Sequence, residues 1–248
     1  MKKILFYLLL VFGLTNINSQ NKDIYGIVYY KYKPNYNQLN KDTIEIKKHV
    51  KDFFKKINKF SDDVQFKLEF LNRVSVFKID EKMENDFNSN STAFVQSIVS
   101  NGSYYCDLEN DIQYRRIEEA GNKLLIQSRP SEIKWLLTGE TKVINNFKCY
   151  KAISKLINVN NSGVHKFTII AWYTPEIPVS FGPKQYNGLP GLILELKDTH
   201  NTFFANKIEL FPKEKIRIKP FKGDTISEKN YKKKLRRMMK GVFIQNKN

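Results

Sequence analysis

Two cysteines, three histidines and eleven glycines in 248 residues leave few of the side chains from which catalytic centres are usually built. No His-Glu-x-x-His and no Cys-x-x-Cys occurs, so the spacings that hold zinc on a helix or a knuckle are missing. No Gly-x-Ser-x-Gly turn presents a serine nucleophile, and no glycine-rich loop could cradle a phosphate. Glu118 and Glu119 are adjacent, so on a strand their carboxyls leave opposite faces and cannot share a substrate. His49, His165 and His200 lie far apart and read as surface or hydrogen-bonded residues. Cys149 could pair with His165 as a nucleophile, but its apolar strand context argues for an inert, buried thiol. No metal, cofactor or catalytic residue is expected, and the balance leans away from an enzyme, with an unrecognised type as the remaining alternative.

Long apolar runs are also scarce. The one at the start, Ile4 to Leu14, follows Lys2 and Lys3 and precedes the polar stretch Thr15 to Ser19, the three-part layout of a secretory signal. Its apolar part is shorter than the roughly 20 residues that span a bilayer. Ser19 suits the position before the cut, with Ile17 a poorer fit to the small-x-small rule. Residues 1–19 are therefore expected to be a signal peptide and residues 20–248 a single domain, soluble in the periplasm or outside the cell. With cysteine only at 106 and 149, none can stand at the mature N-terminus, so a lipoprotein is not expected. In an oxidising compartment Cys106 and Cys149 could form a disulfide stabilising the fold by about 4 kcal/mol; two buried free thiols are the other possibility.

Acidic residues are in deficit, 25 against 42 Lys and Arg, for a net charge of +17. Much of the excess lies after Lys213. Ser227 to Met239 has an N-capping serine and a stripe of Tyr231, Leu235, Met238 and Met239, which predicts a basic amphipathic helix. Lys232, Lys233, Lys234, Arg236 and Arg237 form its candidate basic patch. Such a patch suits an anionic membrane surface, and nucleic acid is not expected for an exported chain. A merely solvated, lysine-rich surface is the plain alternative.

Short β-branched and aromatic segments fill most of the rest. Ile24 to Lys33 reads as a first strand, Lys41 to Phe60 contains a short helix, and Val64 to Phe70 with Val74 to Ile79 forms a hairpin around Asn72-Arg73. Glu81 to Asn101 reads as a loop with one helical turn. Strands follow at Ser103 to Leu108, Ile112 to Ile117, Lys123 to Gln127, Ile133 to Leu137, Phe147 to Asn158, Val164 to Tyr173, Leu192 to Leu196 and Thr202 to Leu210. The expected fold is mainly β (α+β): one large antiparallel sheet, curved or half-barrel, with a few short helices and a basic C-terminal helix.

Ala171 to Leu196 is the most distinctive stretch. Pro175, Pro178, Pro183 and Pro190 fix φ and remove donors, so no central strand can form until after Pro190. Gly188 and Gly191 supply turn chemistry. Trp172, Tyr173, Pro175, Pro178, Tyr186, Gly188, Leu189, Pro190 and Gly191 make a candidate ligand or partner loop. A structural plug, with Trp172, Tyr173, Phe181 and Tyr186 packed over the core, competes with it. The string Gly188-Leu189-Pro190-Gly191-Leu192-Ile193, after Trp172-Tyr173-Thr174 and Gly182-Pro183, resembles the GLPGLI family of exported Bacteroidetes proteins. The likeness is specific over roughly 142–198, where Phe147-Lys148-Cys149-Tyr150-Lys151-Ala152 also resembles a family strand, with Phe147 where tyrosine is usual. Gly26 to Tyr30 fits the family's first strand. The resemblance implies export and a shared β fold, and brings no established activity or catalytic residues. Asp42-Thr43-Ile44 and Asp224-Thr225-Ile226 resemble acceptors for O-glycosylation.

The function expected from these features is non-enzymatic: a binding or chaperone-like protein with an apolar groove on its curved sheet, holding an apolar ligand or an envelope protein. The alternative is an envelope accessory protein that docks through the basic tail and the Gly188–Ile193 loop.

Overall fold

Strict alternation of inward and outward side chains shapes the first strands. In β1 (Tyr25–Pro34) Val28, Tyr30 and Tyr32 are buried while the residues between them face outward. β2 (Phe66–Leu71) repeats the pattern with Phe66, Leu68 and Phe70 inward. Asn72 takes φ +53° in the two-residue turn to β3 (Val74–Ile79), a conformation asparagine tolerates better than most side chains. The computed structural model describes residues 23–35, 64–80, 96–119, 121–160 and 163–245. The expected signal peptide, the helix within 41–60, most of the loop 81–101 and the site at Thr43 lie outside these residues.

The meander continues through β4 (Ser103–Asp107), β5 (Ile112–Glu119) and β6 (Asn122–Ser128). After a helical turn at Pro130–Glu132, a second meander runs through β7 (Leu136–Ile144), β8 (Phe147–Asn160), β9 (Gly163–Thr174), β10 (Leu192–Lys197) and β11 (Asn201–Leu210). β1 pairs antiparallel with β11 from Gly26↔Leu210 to Pro34↔Asn201, with an irregularity between Tyr29 and Tyr30, and so fuses the two meanders into one sheet. A short β12 (Asp224–Ser227) then adds beside β6, and α1 (Glu228–Gln245) follows it. The order across the twelve strands is β12-β6-β5-β4-β3-β2-β1-β11-β10-β9-β8-β7, open at both ends.

Two expectations need correction. The sheet is mixed, because β12 lies parallel to β6. A four-residue edge strand with only Ile226 half-buried gives no alternation to read. The strand placed at Ile133 to Leu137 begins at Leu136 and runs to Ile144. Ile133 and Trp135 instead pack on the core from the connecting segment, whereas Leu136, Leu137 and Val143 on edge strand β7 are exposed. The C-terminal helix starts as expected: the Asn230 backbone N–H donates to Ser227 Oγ at 3.3 Å, an N-cap.

Aromatic rings fill the inward face. Phe66 stacks on Phe77 at 5.5 Å, and Phe203 meets both edge-on at 5.5 and 5.9 Å. Each such ring, taken fully out of water, contributes about 1.5–3 kcal/mol. Outward faces are wet, with Lys67 paired to Glu69 at 3.0 Å and Lys207 paired to Glu209.

Candidate functional site

Between β9 and β10 the chain turns back onto the inward face of its own sheet. Ile177, Val179, Phe181, Tyr186 and Leu189 are buried there, and Phe181 stacks on Phe70 at 6.4 Å. The segment is stitched to β10 and to itself: Ile193 N–H donates to Phe181 O at 3.0 Å, Leu192 N–H to Ile177 O at 3.0 Å and Gly188 N–H to Ser180 O at 2.9 Å. Tyr30 O–H donates to Ile193 O at 2.5 Å from the opposite meander, and burial raises the tyrosine's pKa. Prolines lower the number of backbone donors that have to be satisfied in such a buried, irregular run.

Gly191 is required where it stands. A Cβ there would lie 2.1 Å from Thr174 O, and its φ is +153°. Gly188, at φ +90°, has nothing within 4 Å of an added Cβ, so only its backbone conformation favours glycine.

The candidate loop residues therefore divide. Tyr173, Tyr186 and Leu189 are buried, Trp172 is half-buried, and Pro175, Pro178, Gly188 and Pro190 are exposed. Trp172 lies on the outward side under Lys142, 4.4 Å from its ring centroid. The loop's large apolar side chains fill the inward face as a plug, and the space left for a ligand lies elsewhere.

That space is a cavity of about 480 Å³, in the range typical of small-molecule sites. Gln113 and Arg115 of β5, Ser128 of β6, and Ser154, Lys155 and Leu156 of β8 line it, with Lys184 of the plug and Glu228 and Lys232 of α1. β5 and β8 are separated by seven strands in the sheet order, so they can share a cavity only because the sheet curls. The cavity sits where the curled halves face each other.

Its floor is held by a polar chain. Asn187 Nδ2 donates to Gln113 Oε1 at 2.8 Å, Gln113 Nε2 donates to Ser128 Oγ at 3.2 Å, and Trp135 Nε1 donates to Asn187 O at 2.9 Å. Lys184 forms an ion pair with Asp198 at 2.7 Å, with side chains only 11% and 1% exposed. Burial opposes the charge on Asp198, yet the Lys184 ammonium and the backbone N–H groups of Asn201 and His200 hold its carboxyl below the ordinary range. Arg115 reaches Glu228 at 3.5 Å, Lys232 reaches the same carboxylate at 3.3 Å, and Lys234 meets Glu119 at 2.6 Å. These partly exposed pairs set the position of the helix more than they stabilise the fold, since each contributes about 0–1 kcal/mol.

Cys106 and Cys149 are free, buried thiols on β4 and β8, and no disulfide joins them. Burial, followed by nearby carboxylates, pushes the Cys106 pKa up; burial also pushes Cys149 up to about 11. Neither is activated as a nucleophile. His200 sits exposed in the β10–β11 turn beside Thr199. Among the described residues, no group of three or more His, Cys, Asp or Glu could hold a metal. Lys232, Lys233, Lys234, Arg236 and Arg237 are all exposed on α1, and Leu235 and Met238 emerge beside them. Thr225 is exposed on β12. No helix among the described residues is long and apolar enough to cross a membrane.

Of the cavity residues, sequence reasoning singled out Lys232 alone, as part of the basic patch; it missed the others because they are scattered. Arg115, Ser128, Lys155 and Lys184 belong to no local motif; only the curl of the sheet brings them together.

Residues 159–195, which span the end of β8, all of β9, the plug and most of β10, match a family described as "Protein of unknown function (Porph_ging)". No curated protein matches the chain. Two solved structures are similar in fold. "Structure of PNGF-II in C2 space group" has a TM-score of 0.51 at 12% identity, covering 85% of this chain and 32% of that chain. "Structure of PNGF-II in P21 space group" has a TM-score of 0.50 at 13% identity, covering 86% and 33%. The chain thus spans about a third of the length of those chains, and at this identity the likeness is one of fold alone.

Proposed function

We propose that this chain is a GLPGLI-type protein, exported to the periplasm or beyond, that binds a ligand without transforming it, in the cleft where its curled sheet nearly meets itself. One observation carries this: the apolar inward face is already filled by the chain's own plug, while both meanders contribute walls to a cavity of about 480 Å³. An apolar polypeptide lying along the inward face would have to displace Phe181 and Leu189, so the chaperone-like version has less support than binding of a small molecule in the cleft. The match over 159–195 contains the Gly188 to Ile193 string and is compatible with the family assignment.

Native mass spectrometry of the protein purified from its own cell envelope tests this. The expected result is a polypeptide beginning at Gln20 with a small molecule retained. A chain that keeps residues 1–19 removes the export half of the proposal, and a protein without any retained or added ligand removes the binding half.

A second reading rests on α1, whose exposed Leu235 and Met238 lie among exposed cations. It makes the helix an attachment to an anionic membrane surface. Cosedimentation with phosphatidylglycerol vesicles at low salt should then weaken more than tenfold in Lys233→Glu/Arg237→Glu, since each basic residue contributes about 1 kcal/mol at such a surface. Wild-type protein that stays in the supernatant at low salt excludes this role.

A further inference from the structure

We infer that the cleft is a receptor for a phosphate or phosphate monoester group; this rests on the binding role proposed above and specifies its ligand. Six cationic side chains line the cavity, including Arg115, Arg129, Lys155 and Lys184, against the carboxylates of Glu132 and Glu228 in the lining and of Asp198 behind Lys184. Like charges gathered in a concave, partly apolar site repel one another, and the field they produce is concentrated there rather than dispersed as on an open face. Two of the cations, Arg115 and Lys184, are largely buried, with side chains 14% and 11% exposed. Arg115 is held in place by Glu228 at 3.5 Å and lies 5.5 Å from the Tyr231 ring. Arg129 and Lys155 are exposed at the rim.

Uncharged groups in the cavity have the same polarity. Gln113 uses its amide oxygen on Asn187 and donates its nitrogen to Ser128, so Ser128 accepts there and keeps its own O–H to donate. Ser154 brings a second hydroxyl. A site with many donors and few acceptors does not suit a cation, and it leaves a neutral polyol's own hydroxyl protons without partners. A tetrahedral oxyanion takes the Ser128 and Ser154 hydroxyls together with the exposed cations Arg129 and Lys155, while Arg115 and Lys184 stay paired with Glu228 and Asp198. Tyr104, Ile133 and Leu156 add an apolar wall beside the cations, which fits a phosphate that carries an organic group.

Two sources present this chemistry, a lipid headgroup and a soluble phosphate ester, and calorimetric titration of the full mature chain separates them. The probes are inorganic phosphate, dihexanoylphosphatidic acid below its micelle concentration, and zwitterionic dihexanoylphosphatidylcholine. Binding of both anionic probes supports a site for the phosphate group itself. Binding of the phosphatidic acid alone supports a lipid headgroup site that also uses the apolar wall. In either case the phosphatidylcholine should bind at least tenfold more weakly, and affinity should fall with added NaCl. Arg129→Gln/Lys155→Gln, at two exposed positions where folding is little affected, should weaken binding at least about tenfold, as loss of charge-assisted hydrogen bonds does.

Anionic binding that survives this double substitution but is lost in Lys233→Glu/Arg237→Glu would move the interaction to the helix and overturn the inference. So would failure of both anionic probes while native mass spectrometry finds a neutral molecule retained, an outcome that leaves the binding role standing. Failure of every probe together with an empty native protein would overturn both.

Discussion

Gly191→Ala should lose about 4 kcal/mol of stability or more, read as a large drop in the urea midpoint of the mature chain. The methyl group would lie 2.1 Å from Thr174 O and 2.8 Å from Pro175 N, both backbone atoms that cannot swing aside as a side-chain tip does. The clash comes on top of the about 1–3 kcal/mol that a non-glycine residue incurs in this region of φ. Such a loss is a large part of the 5–15 kcal/mol by which domains are usually stable. Relief would require β9 and β10 to separate just where Leu192 pairs with Thr174. Gly188→Ala is the control. Its added methyl meets nothing within 4 Å, so only the positive φ is penalised, by about 1–2 kcal/mol. Equal losses at the two positions would mean that close approach to Thr174 is not why glycine stands at 191.

Lys184→Met should be nearly as severe, about 3–5 kcal/mol near neutral pH, because it leaves the Asp198 carboxylate buried without its counter-charge. Asp198 has a folded-state pKa below its ordinary 3.8, lowered by Lys184 and two backbone N–H groups against the opposing effect of burial. A depressed pKa means stability that is fully present above the unfolded value and lost as pH falls through the folded one. The wild type should therefore weaken in acid from this pair. In Lys184→Met burial acts on Asp198 without the ammonium, so protonation relieves the variant and the gap between the two proteins should close as the pH is lowered. Paired urea titrations at pH 7 and pH 3 measure this. A gap that stays constant across that interval would show that Lys184 acts through packing of its stem rather than through its charge.

The two classes of cation around the cleft thus differ in kind. Lys184 secures the plug to the β10–β11 turn, and removing it is a stability experiment. Lys155 and Arg129 stand at the rim, where removal is a binding experiment.

Most of the sheet was legible because its strands alternate. β2 presents Phe66, Leu68 and Phe70 on one side and Lys67 and Glu69 on the other, so period two shows in the sequence without help, whereas β1 and β11, with Ile27 and Phe204 facing outward, show through their β-branched and aromatic content. The plug was legible as an irregular, proline-punctuated aromatic segment, although not whether it would face a ligand or the core; Phe181 and Tyr186 at the bottom of the sheet decide that. Edges were less readable. β7 carries Leu136 and Val143 outward, so its apolar residues misdirect, and β12 is too short to carry a pattern. The cleft had no local signal, since its lining is drawn from positions 101–232 and depends on how far the sheet curls.

The pairing of β1 with β11 has a consequence for how the chain reaches its structure. Neighbours in the sheet are mostly neighbours along the chain, so both meanders can form early, at a lower entropic cost than the seam between them. The seam between them cannot: Gly26–Pro34 must wait for Asn201–Leu210, the longest-range partner in the sheet. Until that seam zips, β1 offers a bare edge and the aromatic floor around Phe66 and Phe77 lacks Phe203. A chain synthesised or released N-terminus first therefore spends the interval with its stickiest surface exposed and its last essential strand still to come, which makes closure at β1–β11 the step at which folding and aggregation compete.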